Sequence, residues 1–139
     1  MPFDRQFFPE QHLLYERAFG TLTLDEIAEL HQGEIKAIEQ ANFPIHVLVD
    51  LRLLEHFPAS LIEIKNKVSV IENQNLRWMI LVINTNRVLK FLASVVMQII
   101  FRHARYRVVN SMDEAVAFLE DMDSTLDLSS LPLQIEHAN

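Results

Sequence analysis

The chain has 139 residues, half of them hydrophobic, a formal net charge of −7 and no cysteine. That length reads as one domain able to bury a sizeable core, and the absence of thiols excludes disulfides, thiolate catalysis and iron–sulfur clusters. The acidic balance excludes general nucleic-acid binding, which needs cations to displace counterions from phosphates.

The start, MPFDRQFFPE, has neither the basic region nor the apolar run of a secretory signal. PFDRQFF can add an edge strand through a hairpin at Pro9. HLLYERAF (12–19) reads as a strand, and TLDEIAELHQGEIKAIEQ (23–40) has helical spacing through Leu24, Ile27, Leu30, Ile35 and Ile38. IHVLVDL (45–51) and WMILVIN (78–84) are short, β-branched and apolar on both faces, the pattern of strands inside a covered parallel sheet. Between them, SLIEIKNKVSVIEN (60–73) puts Leu61, Ile64, Val68 and Ile71 on one helical stripe. NRVLKFLASVVMQIIF (86–101) predicts a third helix, RYRVV (105–109) a strand and SMDEAVAFLEDM (111–122) a fourth helix. The expectation is one α/β domain over residues 1–122, with a mostly parallel sheet of four or five strands covered by helices. A tail over 123–139 offers Leu126, Leu128, Leu131, Leu133 and Ile135 to its own domain or to a partner.

Three segments, HVLVDLRLLEHFPASL, LVINTNRVLKFLASV and YRVVNSMDEAVAFLE, resemble bacterial proteins of the STAS-like, anti-sigma-factor-antagonist-like group. The similarity runs from about Leu13 to Met122 and includes the closing pattern V-x-S-x-D-E-A-x-x-F-L. It implies a βα superhelix, a fold shared by phosphorylation-controlled switch proteins, by cytoplasmic domains of anion transporters and, more distantly, by CRAL-TRIO lipid carriers. In the switch proteins a serine at the helix start after the Asp-Leu turn is phosphorylated by a partner kinase. Here Val49-Asp50-Leu51 matches the strand end, and Phe57-Pro58-Ala59-Ser60 lacks the accompanying Asp and Gly, so Ser60 alone carries over.

Local chemistry gives Ser60 a second role. Glu63 follows three residues later, a capping-box spacing repeated at Thr23…Glu26 and Ser111…Glu114. The third helix departs from it. Its start, NTNRVLK, has no acid in the first turns and carries Arg87 and Lys90. Free N–H groups, the positive dipole end and two cations make a candidate anion seat. Asn84, Thr85 and Asn86 serve equally as turn and cap residues. Asp50, Ser60 and the turn Asn84, Thr85, Asn86, Arg87 and Lys90 fall together on the carboxyl edge of the sheet, where α/β folds place ligands. The same helix is apolar around most of its circumference, wider than one sheet face can cover. Phe91, Val95 and Met97 form a candidate face for a two-fold dimer, with burial by the tail as the alternative.

None of the six histidines falls in a metal-ligand spacing, and no G-x-S-x-G elbow is present. Glu26, Glu29, Glu34 and Glu39 are spaced as a solvated helix face, and Trp78 as core or sheet edge. Arg102, His103, Arg105 and Arg107 form a basic connector. VLKFLASVVMQIIF is too short to span a bilayer and holds Lys90 and Gln98. The expected protein is a cytoplasmic, non-enzymatic regulatory module with no cofactor or metal. A homodimer is expected, with a regulatory protein as further partner. A carrier or sensor of a small apolar or anionic ligand is the alternative.

Overall fold

A computed structural model describes residues 2–58, 60–100, 105–129 and 131–133. β1 (Phe3–Phe8) and β2 (Leu13–Thr21) form an antiparallel hairpin closed by a 3₁₀ turn at Pro9–Gln11. Then follow α1 (Leu24–Gln40), β3 (Ile45–His56), α2 (Leu61–Lys67), β4 (Leu76–Val82), α3 (Arg87–Ile100), β5 (Arg105–Val109) and α4 (Met112–Met122). The sheet order is β1-β2-β3-β4-β5, parallel from β2 onward. The α/β class and the edge hairpin expected from the sequence are both present.

A monotonic strand order with right-handed crossovers puts every connecting helix on the same side of the sheet. Leu30 and Ile38 of α1 and Leu89, Ala93 and Met97 of α3 accordingly share one core with Leu14, Val47, Val49, Met79 and Leu81. Ile64 of α2 is buried as well. The other sheet face, with Leu13, Tyr15, Leu48, Ile80 and Val82, is left to α4 and to the tail residues Leu126, Leu128 and Leu133. The described part of the tail therefore packs on the face opposite α3, so covering α3 from within the chain does not fall to these residues. Ile135 lies outside the described residues. Burying one such leucine fully stabilises the fold by about 1.5–3 kcal/mol.

Caps define the helix starts. Thr23 and Glu26 exchange both bonds of a capping box, at 3.3 and 2.9 Å. Ser111 Oγ accepts from the Glu114 amide at 3.1 Å, while Glu114 reaches past Ser111 to the Asn110 amide. α2 ends at Lys67, and Val68 is extended, so the expected helix to residue 73 stops early. Val68, Val70 and Ile71 are β-branched and disfavour helix, and the Ser69 backbone bonds the His31 ring instead. Val68 and Ile71 still pack on the core, from an extended segment. On the opposite face, Trp78 meets Phe118 edge-on at 4.8 Å, and the Arg107 guanidinium lies 4.6 Å over the same ring. Arg102 and His103 of the basic connector lie outside the described residues.

Candidate functional site

At the carboxyl edge the structure separates residues the sequence grouped. Asp50, on β3 in register with Arg17 and Val82, is buried. Its carboxylate accepts from Tyr15 Oη at 3.2 Å, from the Arg52 amide at 3.1 Å, and from the Arg52 guanidinium at 2.9 and 2.8 Å. A forked, charge-assisted pair of this kind fixes geometry strongly. Asp50 clamps the long end of β3 and offers no free oxygen face to a ligand. Asn84 Nδ2 donates to the Arg52 carbonyl at 3.4 Å, which ties the turn before α3 to the same clamp.

Ser60 caps α2, its Oγ accepting from the Glu63 amide at 3.3 Å. Asn86 caps α3: its Oδ1 accepts from the Val88 and Leu89 amides at 3.0 and 3.1 Å, while the Asn86 amide donates to Asn84 Oδ1. Two of the N–H groups that would hold an anion are thus taken by the chain's own side chain. Thr85, Arg87 and Lys90 are exposed. On α3, Phe91 is exposed and Val95 half-buried, whereas Met97 is buried against the sheet and faces away from them. Val88, not grouped with the face in the sequence, stands one turn before Phe91 and is exposed.

A second constellation lies beneath α1 to α3. A pocket of about 130 Å³, partly open to solvent, is lined by Val49, Leu81, Leu54, Leu89 and Ala93 among other apolar side chains, together with Glu34 and His31. Glu34 and His31 of α1 are buried, as is Glu16 of β2. Arg5 Nε donates to Glu16 Oε2 at 2.6 Å, and Arg5 Nη2 to the Leu30 carbonyl at 3.0 Å. His31 Nδ1 stands 3.5 Å from Glu34 Oε1. His31 Nε2 lies 2.9 Å from the Ser69 carbonyl and 3.0 Å from its amide, so either ring tautomer ties α1 to the segment after α2. Burial, before all else, pushes the Glu16 and Glu34 carboxyls above the usual carboxylate range, with Arg5 opposing. The Glu34 carboxyl beside Glu16 raises it further. Burial likewise pulls the His31 imidazolium down, toward the neutral ring.

Sequence reasoning assigned Glu34 to a solvated face, and the structure corrects this. Glu29 and Glu39 are exposed as expected, but Glu34 turns inward next to His31. Two signals in the sequence pointed there: Glu16 interrupts the apolar run of β2, and Gly33 interrupts α1. A Cβ at Gly33 would run into the Arg5 guanidinium, so the glycine is the space through which Arg5 reaches Glu16.

No group of three or more His, Asp or Glu side chains arranged for a metal occurs among the described residues. No helix among them is long and apolar enough to cross a membrane.

A five-stranded, mostly parallel sheet with three crossover helices on one face and a closing helix on the other defines a STAS-like, SpoIIAA-like domain fold. Among solved structures it is similar to an uncharacterized protein of the DUF3478 family from Shewanella loihica PV-4, which has a SpoIIAA-like fold. That match has a TM-score of 0.55 and 13% identity, covering 84% of this chain and 91% of the other. It is similar also to the anti-sigma factor antagonist SpoIIAA in its unphosphorylated form, with a TM-score of 0.50 and 14% identity, over 85% of this chain and 97% of that one. At such identities the likeness is one of fold. No protein-family model matches the chain, and no curated protein matches it in sequence.

Proposed function

We propose that this chain is a non-enzymatic, cytoplasmic regulatory module that self-associates through the outer face of α3. The observation that carries the reading is the pair Val88 and Phe91, 56% and 63% exposed on a helix whose other face is already buried. Val95 continues the row, and Ile62 adds exposed apolar surface on α2, which packs beside α3. Single exposed apolar residues are ordinary, but a row on one face, rimmed by Arg87, Lys90 and Gln98, has the composition of an interface.

A second copy suits this row. A two-fold contact sets it against itself, and an antiparallel pair of α3 helices brings Arg87 and Lys90 to the carboxyl-terminal end of the partner helix, where the dipole favours cations. The fold likeness to an anti-sigma factor antagonist adds a regulatory protein as a further partner, met at the edge carrying Ser60, Thr85, Arg87 and Lys90. Gel filtration with light scattering tests the self-association. Twice the chain mass is expected for the wild type, and one chain mass for Val88→Asp with Phe91→Asp at unchanged circular dichroism. A wild-type chain that stays monomeric at high concentration overturns it.

The cavity under the same helix favours a second reading, a carrier or sensor of a small ligand. In that role the ligand sits below the helices and not on the capped start of α3.

A further inference from the structure

We propose that the cavity beneath α1, α2 and α3 binds a neutral, single-ring-sized apolar molecule carrying one hydroxyl or carbonyl group, which pairs with the Glu34–His31 end. The inference develops the carrier or sensor reading and does not depend on self-association.

Size comes first. Protein interiors leave few voids larger than a water molecule, and a void costs stability in proportion to its volume. This one measures about 130 Å³. A sealed apolar cavity of about 150 Å³ stays dry and takes up benzene, and this pocket offers a similar apolar volume with one side open to solvent. The volume fits one ring or a short branched chain, and a long acyl chain would leave most of its length outside, in water.

Chemistry sets the rest. The lining is apolar apart from Glu34 and His31, and residues at the carboxyl ends of the strands, Leu22, Leu54 and Phe57, belong to it. That is the edge through which α/β folds usually admit ligands. Glu34 and His31 are both buried, and replacing such groups with apolar ones is often neutral or stabilising. The nearby cation, Arg5, is committed to Glu16 and to the Leu30 carbonyl and does not line the cavity. A ligand carboxylate would face the Glu34 carboxyl without a cation of its own. A ligand ammonium would shed its water among leucines. A neutral hydroxyl or carbonyl suffers neither penalty and can exchange a hydrogen bond with Glu34.

Titration of the full chain with phenol, benzene and benzoate, followed by amide chemical shifts, tests the proposal. Phenol and benzene are expected to shift the amides of Leu54, Leu81 and Ala93, with phenol binding about tenfold more tightly, the worth of one buried hydrogen bond, and benzoate not at all. Glu34→Leu should erase the advantage of phenol while keeping benzene. Ala93→Phe, which fills the cavity, should abolish both. If Ala93→Phe does not fold, the wild-type and Glu34→Leu titrations decide alone. Binding of benzene with no preference for phenol overturns the head-group assignment and leaves a carrier of plain apolar molecules. No shift with any of the probes overturns the carrier reading itself, whatever the oligomeric state.

Discussion

Ser60 shows how one side chain can be read for two roles, and its geometry separates them. Its hydroxyl oxygen accepts from the Glu63 amide at the start of a seven-residue helix. The reciprocal bond that completes the box at Thr23 is formed there by Glu26. Losing an N-cap acceptor typically costs about 1 kcal/mol. Ser60→Ala should lower the urea unfolding free energy by about that amount, because a helix this short has little else to define its start. Ser60→Asp keeps an acceptor at the cap and adds charge at the favourable dipole end, so its stability should match the wild type. Under the partner-switch reading, the same variant weakens capture of a regulatory partner. Equal loss of stability in both variants would mean that the hydroxyl, and not an acceptor in general, is required. Asp50 is the opposite case. An acid after a parallel strand reads from the sequence as a free functional group, yet its oxygens are occupied by Tyr15 and Arg52.

At the scale of elements, the periodicity of the apolar residues located the elements from β2 to α4, because sheet faces and helix stripes leave period-two and period-3.6 signatures. What it could not locate were partners distant in sequence. The apolar stripe predicts a longer α2 because Val68 and Ile71 do face the core, only from an extended segment fastened by His31. Glu34 reads as solvated from its charge, since an acid on a helix is rarely buried without a partner. The carboxylate and the guanidinium that make its burial tolerable come from β2 and β1. The dual character of α3 was legible as excess apolarity, but which face is left over depends on the side taken by the tail. α1 gives a test of this long-range dependence. In an ordinary helix interior Gly→Ala stabilises by about 1 kcal/mol. At Gly33 the new methyl would displace Arg5 from Glu16 and from the Leu30 carbonyl, and charge-assisted bonds are worth about 1.5–3 kcal/mol. Gly33→Ala should therefore destabilise the wild type but stabilise an Arg5→Met background. The reversal of sign, measured by thermal melting, is the signature of coupling. Stabilisation in both backgrounds would show that Arg5 re-forms its bonds from another rotamer.

For the whole molecule, the buried carboxyls on one face of the sheet and the His46–Asp123 pair on the other have pH dependences of opposite sign, while His31 on the first face follows His46. On the face of α1 to α3, the coupled pair of Glu16 and Glu34 keeps a proton that the unfolded chain has lost above its value of 4.5. Native protons in excess mean that this contribution falls as pH rises through that window. On the face of α4, the neutral His46 ring donates from Nε2 to Asp123 at 3.0 Å, joining β3 to the segment after α4. That bond, with help from Thr125, holds the Asp123 carboxyl at about 2, below its ordinary 3.8. Its contribution is complete above 3.8 and lost as pH falls through about 2. Burial lowers the His46 imidazolium, with Arg77 and His12 acting in the same direction and Asp123 against them. The unfolded chain therefore takes up a proton below 6.5 before the native one does, and stability falls on that side too. Urea unfolding of Glu34→Gln and Asp123→Asn across the acid-to-neutral range separates the faces. Relative to wild type, Glu34→Gln should gain stability steadily as pH rises above 4.5. Asp123→Asn should lose most near neutrality and nothing near pH 2. A Glu34→Gln difference that stays flat with pH would mean that Arg5 holds Glu34 as well as Glu16 ionised. The apolar cavity would then end in a fixed negative charge, and cationic ligands would replace neutral ones as the chemistry it selects.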